Sequence, residues 1–253
     1  FPLAIATGMS SAAIVAGNSI VFKPASDSPK IAWEYFQILR EAGLPAGVCN
    51  YLTGSGSVAG ETLVDHPRTR FIAFTGSKQV GLRINARVAN TQPGQIWIKR
   101  TILEMGGKDA VVVDETADLD AAARGIIVSA FGYQGQKCSA GSRAIIVDEI
   151  YDELVEKILE QAREILVIGD PEQQEHYTGP VVSQSQYQTV LEYIEIGKKE
   201  GRLIYGGEPI DREGYFIEPT IFIDVAPDAR IAQEEIFGPV LTVIKAEDWK
   251  EAI

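Results

Sequence analysis

The chain has few of the residues that build dedicated chemistry. Two cysteines, Cys49 and Cys138, are too few for a disulfide framework and point to a reducing compartment such as the cytoplasm. Two histidines, His66 and His176, stand far apart. They offer no metal-ligand spacing, and neither is an evident partner for a cysteine of the Cys-His type. Positive charge is also short: 23 Lys and Arg against 35 Asp and Glu leave a net charge of −12, which disfavours a broad nucleic-acid surface. No apolar run approaches the roughly 18 residues of a membrane span. A Gly-x-Ser-x-Gly elbow and a Walker loop are both missing, as is any internal repeat. What remains is 253 residues, 45% apolar and 23% charged, enough for one large soluble globular domain or two ordinary ones.

The ends are unusual. Phe1-Pro2-Leu3-Ala4 has no initiator Met, basic segment or cleavage signature. The other end falls inside a helical pattern, Glu247 to Ile253. Both features read as the middle of a longer protein.

Residues 3–16 are apolar and small, which predicts a buried helix closed by Gly17-Asn18. A strand at Ser19–Lys23 follows, then a helix capped by Ser28-Pro29 and ended by Gly43 and Pro45. Strands at Val48–Leu52 and Arg70–Phe74, with helices to about Asp65 and from Ser77 to about Ala89, complete a β-α-β-α-β series. That series predicts a parallel, doubly wound sheet. After a loop at Asn90–Gln95, a strand runs to Glu104, and Gly106-Gly107 reads as a hinge. The chain is thus expected to hold a dinucleotide-binding domain over 1–105 and a catalytic domain over 106–253. In the second, strands fall at Ala110–Val113, Arg143–Val147 and Val240–Ile244, with helices near Asp118–Phe131, Glu149–Leu166 and Gln186–Glu200. Gly214–Pro219 reads as loop and edge strand. The fold class is α/β.

Several segments could carry chemistry. Cys138 lies in Gly135-Gln136-Lys137-Cys138-Ser139-Ala140-Gly141. A thiol among small residues, beside a cationic side chain, suits a nucleophile, because the thiolate is the reactive form. Glu104, in Leu103-Glu104-Met105-Gly106-Gly107-Lys108, is a carboxylate that could activate water against a covalent intermediate. For either residue alone, a buried structural Cys or a surface Glu is the better account. Lys23 closes a strand, where ligands bind in open α/β sheets, but a lone Lys-Pro is equally a solvated lysine. Gly54-Ser55-Gly56-Ser57-Val58-Ala59-Gly60 misses the dinucleotide spacing by one residue, and a tight turn explains it almost as well. Phe74-Thr75-Gly76-Ser77 opens a helix after a strand, so its N–H groups and the Ser77 hydroxyl could face a pyrophosphate, or Ser77 could be an ordinary cap. In Glu234-Glu235-Ile236-Phe237-Gly238-Pro239 a carboxylate could hold ribose hydroxyls and an aromatic could pack on a flat ring; a surface acidic pair beside a core Phe is the simpler account. Cys49 reads as core, and His66 and His176 as loop residues.

Together these segments resemble the aldehyde dehydrogenase superfamily over essentially the whole chain. The resemblance implies a partial Rossmann-like cofactor domain joined to an α/β catalytic domain. It implies that Cys138 attacks an aldehyde and that Glu104 activates the water that hydrolyses the resulting thioester. Lys23 would contact the adenosine ribose and Ser77 the pyrophosphate, with Gly56 and Gly76 in the same cofactor turns. Glu235 would hold the nicotinamide ribose, with Phe237 beside the ring. Ser26 stands where strict NAD enzymes of the family often carry a Glu that repels a 2′-phosphate, so NAD is expected with NADP tolerated. In the family, a second oxyanion donor, an Asn, immediately precedes the Phe-Pro that opens this chain. The resemblance also implies a small aldehyde as substrate, a homo-oligomeric parent, and no nucleic-acid or membrane partner. Thr91 to Arg100, Met105 and Ser139 are most similar to the 1-pyrroline-5-carboxylate dehydrogenase branch, in which Ser139 would touch the substrate carboxylate. Two rival expectations stand beside this: a coenzyme A-acylating relative, against which Glu104 argues, and a non-catalytic homologue.

Overall fold

The computed structural model describes residues 1–253 as two compact units, Phe1–Met105 and Gly106–Ile253. The first unit contains α1 (Pro2–Val15), β1 (Ile20–Phe22), α2 (Pro29–Glu41), β2 (Cys49–Tyr51), α3 (Glu61–Asp65), β3 (Phe71–Thr75), α4 (Lys78–Val88) and β4 (Arg100–Glu104). A π-type turn at Gly56–Gly60 leads into α3. The strands are parallel, as the alternating pattern requires, but they form two separate pairs, β1 with β2 and β3 with β4, not one continuous sheet. The unit is tied together by polar contacts between helices. Arg87 on α4 reaches Glu61 at 3.1 Å and pairs with Asp65, both on α3. That guanidinium, bonded to the Asp65 carboxylate, holds the acid below its ordinary range.

Two further expectations fail in this unit. Helix α1 forms, but it is not buried within the unit: Leu3 is 46% and Val15 88% exposed, and only Ser10 is buried. Its apolar residues lie all round the axis, so one neighbouring helix cannot cover them. Ser28 does occupy the cap position of α2, with Pro29 in the first turn as expected, though its side chain makes no capping hydrogen bond. The segment before β4 is irregular until Arg100. It is pinned by side chains instead: Trp97 Nε1 donates to the Thr69 carbonyl at 3.2 Å, and the buried Lys99 Nζ to the Val64 carbonyl at 2.6 Å.

The second unit contains β5 (Ala110–Val113), α5 (Leu119–Phe131), β6 (Arg143–Val147), α6 (Tyr151–Ile165), α7 (Gln184–Glu200), β7 (Arg202–Tyr205), β8 (Thr220–Ile223), α8 (Arg230–Gln233), β9 (Val240–Ala246) and α9 (Trp249–Ala252). Its sheet has the order β5-β6-β9-β8-β7, parallel except for the antiparallel edge strand β7. Helices α5 and α6 cover one face through Ile126, Ile127, Phe131, Leu154 and Ile158. Helix α7 covers the other face through Val190 and Ile194, which share a cluster with Phe222 and Ile231. Strands buried on both faces read as continuous apolar runs, and β8 is buried at every position. The edge strand expected at Gly214–Pro219 is displaced: that stretch is loop with one bridge, Pro209 to Ile217, and β7 forms the edge.

Helix α7 approaches the sheet closely because Gly197 lacks a side chain; a Cβ there would lie 2.7 Å from the Phe222 ring. Gly125 on α5 has open space where a Cβ would go. Gly197→Ala is therefore expected to destabilise the fold by about 1–3 kcal/mol through overpacking. Gly125→Ala should stabilise it by about 0.5–1 kcal/mol through reduced backbone entropy of the unfolded chain. Urea unfolding of the two variants checks the opposite signs.

Candidate active site

In the first unit, the expected cofactor contacts sit at strand ends. Lys23 follows β1 directly, and its ammonium donates to the Pro24 carbonyl at 2.7 Å. Its Cε lies 3.9 Å from the place of a Cβ on Gly60, so the side chain runs beside the turn that Gly56 opens. Ser26 is exposed in the turn that follows β1. Gly76 and Ser77 join β3 to α4, and the Ser77 hydroxyl accepts from the Val80 N–H at 3.4 Å, the geometry of a helix cap. The capping role is thus occupied, while the other N–H groups of the first turn have no partner inside the helix. Glu104 ends β4 opposite Thr75, and its carbonyl accepts from the Gly76 N–H at 3.0 Å. Parallel pairing therefore sets Glu104 next to the Gly76-Ser77 turn, with its side chain exposed.

In the second unit, Cys138 lies in a tight turn in which the Ala140 N–H donates to the Lys137 carbonyl at 3.2 Å. Cys138 is an exposed free thiol, and Ser139 is exposed beside it. The Cys138 N–H donates to no group within the chain. The other cysteine, Cys49, is buried, and burial raises its thiol pKa, so it is the inert one of the two. Upstream of the Cys138 turn, Tyr133, Gln134 and Gly135 adopt left-handed backbone with φ of 58°, 58° and 65°. Gly135 packs against the Gly238 carbonyl, where a Cβ would collide.

Gly238 belongs to the Glu235–Phe237 segment. Phe237 is also left-handed, with φ of 54°, and is 38% exposed. The Glu235 carboxylate lies against the backbone of Gly106. Burial raises its pKa, an effect partly offset by the Lys108 ammonium. Its Oε1 is buried without a partner. Its neighbour Glu234 points elsewhere, bonded to Tyr193 at 2.6 Å and paired with Arg230 at 2.9 Å. The crevice between Gly107, Gly135, Glu235 and Phe237 encloses about 10 Å³, room for no more than a water. His66 and His176 take no part: His66 Nδ1 accepts from the Arg68 N–H, and the His176 ring packs on Gly169.

Sequence reasoning missed Lys108, Arg143 and Gln186. Lys108 Nζ and Arg143 Nε are both buried without hydrogen-bond partners. Gln186 donates to the carbonyls of Ile236 and Phe237 at 2.9 and 3.0 Å. Lys108 was visible only as the end of the glutamate motif, and a Gln on a polar helix carries no local signal. No cluster of His, Cys, Asp and Glu could hold a metal, and no helix is long and apolar enough to cross a membrane.

The model of the aldehyde dehydrogenase family matches residues 1–253. Over those 253 residues the chain is 56% identical to the 1-pyrroline-5-carboxylate dehydrogenase of Geobacillus sp. (strain WCH70), covering all of this chain and 49% of that protein. It is 56% identical to the Bacillus subtilis (strain 168) protein of the same name over 249 residues, 98% of this chain and 48% of that one. A solved Thermus 1-pyrroline-5-carboxylate dehydrogenase with bound NAD superposes with a TM-score of 0.97 at 52% identity, covering 99% of this chain and 48% of that one. A Burkholderia cenocepacia gamma-glutamyl-gamma-aminobutyraldehyde dehydrogenase gives 0.90 at 42% identity, over 99% and 49% of the two chains. The chain thus spans about half the length of the curated relatives it matches.

Burial and the nearby Arg143 guanidinium push the Lys108 ammonium down from 10.5 to about 8, with Glu235 opposing the shift. Between those values the unfolded chain keeps a proton that the folded chain has shed. Stability from this group therefore rises as pH climbs through that window. Lys108→Met is expected to flatten the rise, as followed by urea midpoints from about pH 7 to about pH 10. An unchanged pH slope in that variant would contradict the assignment.

Proposed function

The chain belongs to the aldehyde dehydrogenase family, and on that premise we propose that it carries the nucleophile and cofactor contacts of an enzyme that oxidises glutamate 5-semialdehyde, the open form of 1-pyrroline-5-carboxylate, to glutamate. The observation that carries this is Cys138 itself: an exposed thiol in a tight turn, with its own N–H unbonded and left-handed backbone just before it. An inert cysteine is buried, as Cys49 is. The identity above 50% to proteins named 1-pyrroline-5-carboxylate dehydrogenase supports the choice of substrate.

NAD fits the residues present. Helix α4 offers a capped N-terminus at a strand end, suited to a pyrophosphate. Glu235 keeps a buried oxygen without a partner, suited to a ribose hydroxyl. Lys23 and the Gly56 turn are the contacts proposed for the adenosine side, and Phe237 for the nicotinamide side. Ser26, neutral in its turn, leaves NADP acceptable as well. When bound, the cofactor supplies the hydride acceptor.

The chain's own residues account for the remaining steps. The Cys138 thiolate adds to the aldehyde carbon. Loss of hydride from that carbon is favoured by negative charge on the former carbonyl oxygen, for which the Cys138 N–H is a donor. A thioester on Cys138 results. Glu104 takes a proton from water, which attacks the thioester; glutamate leaves and the thiolate returns. Ser139, exposed beside Cys138, is the proposed contact for the substrate carboxylate. The two free thiols support a reducing compartment as its location.

The test uses the full-length protein with glutamate 5-semialdehyde and NAD. Cys138→Ala should abolish NADH formation. Glu104→Gln should lower steady-state turnover by about 10²-fold or more while leaving a burst of NADH, because thioester formation does not need the base. Turnover retained by Cys138→Ala would overturn the nucleophile. Stimulation by coenzyme A would favour the acylating alternative.

A further inference from the structure

Two strained loops face each other in the second unit, and one segment braces both. The first is the nucleophile loop, with left-handed backbone at Tyr133, Gln134 and Gly135. The second is the Glu235–Phe237 loop, left-handed at Phe237. Non-glycine residues hold such conformations only where their surroundings over-determine them. The loops touch at Gly135 and the Gly238 carbonyl.

The bracing segment runs from Gly179 to Gln186, the entry to α7. Gln136, two residues before Cys138, accepts through its Oε1 from the Val182 N–H at 3.0 Å. The Gln134 amide, with its oxygen toward Gly179, accepts from that N–H at 2.9 Å. On the other side, Gln186 Nε2 donates to two successive carbonyls, Ile236 at 2.9 Å and Phe237 at 3.0 Å. Gln186 is itself fixed by the helix cap, its N–H donating to the Ser183 hydroxyl at 3.3 Å. Gln136 thus bonds Val182, just before α7, and Gln186 stands four residues on, in the first turn of that helix.

We propose that Gln136 and Gln186 are positioning residues that set the Cys138 turn and the Glu235–Phe237 loop from a single anchor. Gln136 does so chiefly as an acceptor from Val182 at 3.0 Å, its Nε2 donating only at 3.4 Å to the Tyr133 carbonyl within its own loop, and Gln186 as a donor. The two roles predict opposite outcomes for the same isosteric change to Glu. This rests on the assignment of Cys138 as nucleophile and of Glu235 and Phe237 as cofactor contacts.

The experiment uses the full-length protein and four readouts: iodoacetamide alkylation of Cys138 without cofactor, hydrogen exchange at the Val182 amide, KM for NAD, and kcat. Gln186→Glu loses both donors and sets an oxygen against two carbonyls; it should raise KM for NAD by about tenfold while Cys138 alkylation stays near wild type. Gln136→Leu should expose the Val182 amide to exchange and change the alkylation rate and kcat by about tenfold, with KM for NAD little altered. Gln136→Glu keeps the acceptor toward Val182, gives up only the long 3.4 Å bond to the Tyr133 carbonyl, and should restore both. Should Gln186→Glu fail to fold by circular dichroism, Gln186→Met, which also lacks the donors, takes its place. An unchanged KM in the Gln186 variants, or a Gln136→Glu variant as impaired as Gln136→Leu, would overturn the brace. A wild-type protein that reduces no NAD would instead sink the functional assignment, and alkylation and exchange would still decide the Gln136 half of the brace.

Discussion

The candidate nucleophile depends on one close approach, Gly135 against the Gly238 carbonyl. A side chain cannot occupy that space, and the left-handed φ of 65° at Gly135 suits glycine on its own account. Around it, three non-glycine residues, Tyr133, Gln134 and Phe237, also take left-handed backbone. Each such residue costs on the order of 1–3 kcal/mol. The contact adjoins the buried sheet: β9 begins at Val240, two residues after Gly238, and is buried except at Lys245. The strain has a consequence for chemistry, since it presents Cys138 at the tip of a turn and not inside the core.

The second constraint is electrostatic. Glu235, Lys108 and Arg143 each keep a buried polar atom without a hydrogen-bond partner. Burying charge without full compensation is unfavourable, and it shows as a lowered Lys108 pKa and a raised Glu235 pKa. Glycine again makes the arrangement possible, because the Glu235 carboxylate lies where a Gly106 Cβ would be. Buried charged groups with perturbed pKa values in one place are a feature that functional sites share with structural ion pairs.

Much of the fold was legible because its signals are local. The Ser77 cap, the β3–α4 turn and the strands at Ala110–Val113 and Arg143–Val147 occur where alternation and turn residues place them. The failures have physical causes. Strand β8 was missed because Thr220–Ile223 is only four residues and follows a Pro-bearing loop that reads as an edge. Helix α1 was expected to be buried from its composition, yet composition does not say what covers it. The stretch after Gln95 up to Lys99 reads as strand by its apolar residues, but Trp97 and Lys99 bond through their side chains to the backbone of other segments. The two parallel pairs of the first unit also differ from the single sheet that the β-α-β-α-β order suggests, because order fixes pairing direction but not which pairs share a ladder.

By itself, the sequence determined the chemistry that is present: a thiol among small residues, a carboxylate in a glycine-rich motif, capped turns after strands, and their order along the chain. These depend on neighbours within a few positions, so they survive as pattern. The tertiary structure alone decided where Glu235 rests, which distant backbone groups Gln136 and Gln186 bond, and that Lys108 and Arg143 are buried without partners. Gln136 meets Val182 from 46 positions away, and Gln186 meets Ile236 from 50. Hydrogen bonds from a side chain to distant backbone impose no periodicity and no composition on the sequence. Only folding brings the partners together, and only there does their role become visible.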